Sequence, residues 1–426
     1  MSTKLSRSSA SKAVQPEKVM FPGARDSYFT SQFGFTAGEG QGLPTFRAMD
    51  ANGRLCEGGP TEEELGITKE MALRLYREMV QLNTLDVIMY EAQRQGRISF
   101  YMTSYGEESL IGSASSLRPE DVVFGQYREA GVLLYRGFTL REFMDQCYGS
   151  VGDSGKGRQM PVHFGSARLN FHTISSPLTT QLPQAAGAAY ALKRESSEEG
   201  RVAMCYFGEG AASEGDFHAA LNMAATLGCP TIFYCRNNGF AISTPSTEQY
   251  VGDGIASRGI GYGIETIRVD GNDVWAVKYA TEKARKMALG DDGKGSPRPV
   301  LIEALTYRIG HHSTSDDSSA YRSKEEVEDW RRKDDPMTRL RRFLESRDWW
   351  NAEEETALRD ETRKAVLSEF SQAEKRAKPP ISDLFTDVYD ELTPALKEQQ
   401  QEMERLVREY PEYYQSVREH QGSENV

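Results

Sequence analysis

The sequence has no run of eighteen apolar residues, no surplus of positive charge and no paired-cysteine motif, and each absence removes a class of function. Without a long apolar run, nothing in it reads as a membrane span. Lys and Arg number 51 against 63 Asp and Glu, a formal net charge of -12. No cation excess is left to neutralise a phosphate backbone, so no nucleic-acid partner is expected; proteins and small molecules are the expected partners. The five cysteines (Cys56, Cys147, Cys205, Cys229 and Cys235) are odd in number and form no CxxC pair. That sets aside a disulfide or zinc framework and favours buried or incidental thiols in a reducing compartment. No internal repeat appears.

What is present is length and alternation. A chain of 426 residues can bury a large core, in one large domain or in two or three ordinary ones. Its first eighteen residues are Ser-rich, carry Lys4, Arg7, Lys12 and Lys18, and have no acid before Glu17. They resemble the tail of an organelle transit peptide, and a plain disordered terminus accounts for them equally. Residues 1–60, rich in Gly, Pro and Ser, read as an extended arm or disorder, and helical spacing begins within 63–96. Short apolar runs then follow at 121–125, 201–208, 230–235, 265–270 and 299–307, separated by helical stretches such as 184–195 and 274–288. Strands alternating with helices predict βαβ units: an α/β fold with a doubly wound, mostly parallel sheet flanked by helices. The α/β domain is placed at 61–345. A charged helical extension occupies 346–426, read equally well as a solvated helix or a subunit contact.

In such sheets, ligands bind beyond the carboxyl ends of the strands. The run 201–208 leads into "GEGAASEGD" (208–216), and the run 230–235 leads into "RNNGFA" (236–241). Ser213 with Asp216 suggests a capping box, and Gly228 a helix end, so one helix over 213–228 joins the two strands. If those strands are close in the sheet, Glu209 and Asn238 emerge at one edge. A carboxylate, an amide oxygen and a backbone carbonyl suit magnesium, which takes its remaining ligands from water and phosphate. Gly208 and Gly210 let the backbone approach a diphosphate, and Arg236 can hold one of its oxygens. A lone "GEG" is weak, since a Gly-rich turn occurs in any α/β fold. Coupled to "NN" at this spacing, it resembles the thiamine diphosphate signature GDG…NN, with Glu in place of Asp lengthening the arm by one carbon.

The segment "RIGHHSTSDDSSAYRS" (308–323) follows the last apolar run and holds paired histidines, paired aspartates, two arginines and five serines. Together with 207–244, "RQGRISFYMTSYGEE" (94–108), "FGQYREAGVLLYRG" (124–137), "GKGRQMPVHFG" (155–165) and "TISSPLTTQLPQA" (173–185), it resembles one family. The likeness is to the alpha subunits of thiamine-dependent branched-chain 2-oxo acid dehydrogenases, over about residues 60 to 420.

The resemblance implies a thiamine diphosphate-binding fold in the mitochondrial matrix, with roles for residues at matching positions. Glu209, Asn238 and the carbonyl of Phe240 would bind magnesium; the family usually has Tyr at the last of these. Arg128, Arg236 and His312 would contact the diphosphate, with Gln126, Tyr127, Ser176, Gly208, Gly210 and Ala211 beside the cofactor. Leu178 would hold the cofactor bent. Ser175, Pro177, Thr180 and Gln181 match a potassium site. His312 would also move protons, as a group titrating near working pH, while His311 is read as structural. Arg308, Asp316, Tyr321 and Arg322 would order the loop. Ser313 would be an inhibitory phosphorylation site and Ser323 a second one, implying a kinase and a phosphatase.

Thiamine catalysis also needs a glutamate on the aminopyrimidine. None is identified in this chain, and in the family a beta subunit supplies it. The implied assembly is a heterotetramer of two alpha and two beta chains that delivers acyl groups to a lipoyl-bearing transacylase core. Three alternatives stand beside this reading. A pyruvate dehydrogenase alpha subunit shares GDG…NN but differs around the second histidine. A non-catalytic scaffold would be expected to lose Glu209, Asn238, Arg236 or His312. A dinucleotide-binding dehydrogenase needs G-x-G-x-x-G, which "GEGAAS" lacks.

Overall fold

The computed structural model describes residues 18–21, 24–28, 42–195 and 200–423. Most of the basic N-terminal stretch, read above as a transit-peptide tail or a disordered terminus, lies outside them. Lys18–Phe21 and Ala24–Tyr28 form an antiparallel pair in a unit of their own, residues 1–41.

From Gly42 the chain is one unit built on a seven-stranded sheet. Its strands are β1 (Thr45–Phe46), β2 (Val122–Phe124), β3 (Phe171–His172), β4 (Ala203–Gly208), β5 (Thr231–Asn237), β6 (Glu265–Asp270) and β7 (Val300–Leu305). Their order is β1-β6-β7-β5-β4-β2-β3, and every pairing is parallel. Each of the five apolar runs read from the sequence supplies one of these strands. Residues 42–60, read as part of the arm, contribute β1 at the edge of the sheet.

The strand interiors are apolar on both faces, as a sheet covered on both sides requires. Met204 and Tyr206 of β4 and Ile232 and Tyr234 of β5 point into one core. It is closed by the helices Lys69–Arg94, Ala130–Arg136 and Val274–Leu289. Ala203, Cys205 and Phe207, with Phe233 and Cys235, point into a second core under the helices Gln181–Arg194 and Gly215–Leu227. The fold is therefore doubly wound. All five cysteines are free thiols, and four of them are buried. Beyond the sheet, Ala352–Ala373 lies against Lys69–Arg94 and Leu140–Tyr148. No helix among the described residues is long and apolar enough to cross a membrane.

One local expectation is corrected. The crossover helix runs Gly215–Leu227 and is preceded by Glu214 in an extended conformation, with no side-chain cap. Ser213 belongs to the short 3-10 turn Ala211–Ser213, and its Oγ accepts from Gln249 Nε2 at 3.1 Å. The hydroxyl that would cap the helix is thus engaged by a distant side chain. Gly228 does close the helix, at φ 59°, where a side chain would be strained.

Candidate active site

β4 and β5 are neighbours, with Gly208 opposite Arg236, so Glu209 and Asn238 leave the sheet side by side. The segment after β7 arrives on one flank of this pair, since Leu305 lies opposite Asn237. Gln126–Glu129 after β2 and Thr173–Gln181 after β3 arrive on the other. Five adjacent strands thus deliver their loops to one edge, as expected for a ligand site in a parallel sheet.

Glu209 is 1% exposed. Its Oε2 meets only the amide N–H of Asn238, at 3.4 Å, and its Oε1 has no hydrogen-bond partner. Burial, with Glu107 adding negative charge nearby, pushes its carboxyl up to about 7. A buried carboxylate oxygen without a donor is costly unless a cation answers it. Asn238 donates Nδ2 to Glu107 Oε1 at 2.8 Å, and its Oδ1 accepts from Phe240 N at 3.3 Å. No cluster of three or more His, Cys, Asp or Glu that could hold a metal occurs among the described residues. The oxygen set of one carboxylate, one amide and one carbonyl fits a hard cation completed by phosphate oxygens and water. Phe240 is half-buried, its ring packed by Tyr307 and Tyr321 and faced by the guanidinium groups of Arg308 and Arg322.

The anion-binding side is formed by arginines. Arg128 is buried and donates to Thr103 O and His312 O, both at 2.6 Å. Arg236 lies between two carboxylates the sequence reading did not find, with Nη1 to Glu107 Oε2 at 2.8 Å and Nη2 to Glu129 Oε1 at 2.8 Å. The other oxygen of Glu129 accepts from the amides of Gln126 and Tyr127, so one side chain fixes both Arg236 and the loop after β2. Gln126 Oε1 in turn accepts from Gly208 N at 2.9 Å. Gly210 is required for packing: a Cβ there would lie 2.8 Å from that of Ala241. Ala211, fully buried, opens the turn that follows.

His312 replaces one expectation with another. Its Nδ1 lies 3.3 Å from Arg128 Nη2 and 3.4 Å from Arg308 Nη1. Burial, then Arg128 and Arg308, push its pKa down to about 3. These surroundings favour the neutral form of His312 over the charged one. It is a neutral imidazole whose Nδ1 accepts from arginine, leaving Nε2–H as the donor. Its backbone N–H donates to Asp316 Oδ2 at 2.7 Å, and the Tyr321 hydroxyl, which accepts from Arg308, donates to the same oxygen at 2.6 Å. Arg322 donates to the carbonyls of Arg308, Ile309 and Gly310. His311 accepts from Ser318 N at 3.0 Å, a structural contact. Ser313 is buried, its Oγ accepting from Ser315 N at 3.2 Å. Ser323 is exposed and caps the helix Lys324–Lys333, accepting from Glu326 N at 3.1 Å.

Across the site, Ser176 Oγ meets His163 Nε2 at 2.7 Å. Leu178 is 39% exposed, and Thr179 beside it is a β-branched residue at φ 68°. Thr180 Oγ1 donates to Pro177 O at 3.1 Å and Gln181 Nε2 to Tyr206 O at 3.1 Å, while Ser175 is exposed. Two of the four residues matched to a potassium site are thus in direct contact.

Residues 76–382 match the family described as "Dehydrogenase E1 component". The chain is 55% identical over 394 residues to the mitochondrial 2-oxoisovalerate dehydrogenase subunit alpha of Caenorhabditis elegans, covering 92% of this chain and 89% of that one. It is 55% identical over 399 residues to the Homo sapiens protein of that name, covering 93% and 87%. It is 48% identical over 402 residues to subunit alpha 1 of Arabidopsis thaliana, covering 94% and 83%. The chain belongs to the dehydrogenase E1 component family, which is thiamine diphosphate-dependent.

Proposed function

We propose that this chain is the alpha subunit of a branched-chain 2-oxo acid dehydrogenase in the mitochondrial matrix. With a beta subunit, in a heterotetramer of two alpha and two beta chains, it decarboxylates the 2-oxo acids derived from Leu, Ile and Val. It then passes the acyl group to a lipoyl-bearing transacylase core. The observation that carries the site reading is the buried, partnerless Oε1 of Glu209 beside Asn238 at the mouth of two adjacent strands. The substrate class rests on likeness to relatives named 2-oxoisovalerate dehydrogenase subunit alpha.

Thiamine diphosphate, when bound, supplies the nucleophile and electron sink that decarboxylation of a 2-oxo acid needs. Glu209, Asn238 and the Phe240 carbonyl would hold magnesium. Arg128, Arg236 and the Nε2–H of His312 would hold the diphosphate, with Gln126, Tyr127, Ser176, Gly208, Gly210 and Ala211 lining the site. Leu178 would press on the cofactor, and Ser175, Pro177, Thr180 and Gln181 would hold potassium. The division into an arm (1–60), a cofactor-binding domain (61–345) and a helical extension (346–426) belongs to this proposal. So does control by a kinase and a phosphatase at Ser313 and Ser323. A phosphoryl group on Ser313 would add up to about two negative charges next to His312 and displace the buried loop.

The test is decarboxylation of 3-methyl-2-oxobutanoate and of pyruvate, with thiamine diphosphate and magnesium, by this chain alone and after co-expression with its beta subunit. Activity of the pair alone, chiefly on the branched acid, is expected. A pair preferring pyruvate overturns the substrate class, and activity of the lone chain overturns the split site.

A further inference from the structure

Glu107 is 4% exposed, lies in the site and has no role above. Its Oε1 accepts from Asn238 Nδ2 and its Oε2 from Arg236 Nη1, both at 2.8 Å, and Arg128 Nε lies 3.8 Å away. Burial alone would push its carboxyl up; Arg236 and Arg128 hold it below its ordinary range instead. Its own turn is anchored elsewhere. Ile309 N donates to Tyr105 O at 3.1 Å and Thr306 Oγ1 to Gly106 O at 2.8 Å. Gly106, at φ 88°, leaves no room for a Cβ against the carbonyl of Tyr307. The carboxylate is therefore presented by backbone that does not depend on an ion.

A primary amide offers a donor on one side and an acceptor on the other, and rotation by half a turn exchanges them. With Nδ2 of Asn238 held by Glu107, Oδ1 must face away from it. The flipped amide would place an NH2 where a cation needs an oxygen. Charge balance for Arg236 does not require Glu107 alone, because Glu129 also pairs with it. Apart from the longer approach to Arg128, the contact that Glu107 supplies and Glu129 does not is the hydrogen bond from Asn238.

We infer that Glu107 is a positioning residue, which locks the Asn238 amide with its oxygen toward the metal and so sets the affinity for the divalent cation. This rests on the reading of Glu209 and Asn238 as metal ligands. The test uses the assembled heterotetramer and Mn2+ as the probe, with free ion counted by electron paramagnetic resonance in the presence of thiamine diphosphate. Glu107→Gln is expected to weaken Mn2+ binding about 10- to 100-fold, the range for residues that orient ligands. The KM for the 2-oxo acid at saturating metal is expected to stay unchanged.

An Mn2+ affinity unchanged in Glu107→Gln but lost in Glu209→Gln overturns the positioning role and leaves the site reading standing. Unchanged affinity in both overturns the site reading itself. Should Glu107→Gln fail to assemble, a swap decides. Asn238→Asp alone sets two carboxylates face to face, whereas Asn238→Asp with Glu107→Gln restores a donor and an acceptor. Better Mn2+ binding in the double variant than in Asn238→Asp supports the role, and equal or worse binding overturns it.

Discussion

Glu303 and Glu209 are glutamates of the same sheet, both at most 1% exposed, and their surroundings are opposite. Glu303, inside β7, accepts four hydrogen bonds: Asn237 Nδ2 at 2.8 Å, Ile255 N and Ala256 N at 2.9 Å, and Arg268 Nε at 3.0 Å. Glu209, just past β4, has one long contact and a bare oxygen. A buried charge whose lone pairs are all answered is part of the frame. One left unanswered marks a place where something else belongs. Degree of burial does not separate the two roles; the count of donors does.

The largest effect that sharpens this contrast is on stability. Glu303→Ala removes one of the two carboxylates on Arg268, which keeps Asp253, and strands two buried amides; it is expected to cost about 3–5 kcal/mol, read by denaturant unfolding of the chain with its beta subunit. A loss below about 1 kcal/mol would erase the distinction from Glu209. Glu209→Gln is expected to leave unfolding of the cofactor-free assembly unchanged or slightly improved. It should remove at least about 100-fold of the magnesium-dependent binding of thiamine diphosphate, measured by calorimetry.

Asp86 is an intermediate case with a smaller effect. It is 1% exposed and has one donor on each oxygen, the Tyr101 hydroxyl at 2.9 Å and Ser104 N at 2.6 Å. Burial outweighs these bonds and the nearby Arg128 and pushes its carboxyl up to about 7 from 3.8. The folded chain then holds this proton more tightly than the unfolded chain does. Its contribution is present at low pH and is lost as pH rises from 3.8 to about 7. Asp86→Asn should therefore flatten the decline in urea midpoint over that window. Parallel slopes in the two proteins would place the charge of Asp86 among the fully answered ones.

The alternation of apolar runs made the sheet legible, because strands buried on both faces are written as contiguous hydrophobic segments. The pairing of Glu209 with Asn238 was legible because one crossover separates them and local chain order fixes it. Glu107 and Glu129 were not legible. Arg236 meets them across 129 and 107 positions of sequence, and an isolated glutamate in "YGEE" or "YREA" looks like any solvated acid. The Ser213 cap failed for the same reason: its hydroxyl answers to Gln249, and periodicity carries no information about a partner that distant. The neutrality of His312 likewise depends on its burial and on Arg128, which only the fold brings beside it.

The parallel sheet also decides how the site can break. Every ligand-bearing loop hangs from a strand whose side chains alternate between faces, and the lateral spacing of about 4.8 Å between neighbours is set by hydrogen-bonded ladders. A chain that misaligned β5 on β4 by one residue would not loosen the grip on a cation. It would turn the strand's side chains to the opposite face and carry the acceptor away entirely. Damage in these strands should therefore divide molecules into competent and dead fractions, with turnover per competent molecule unaltered.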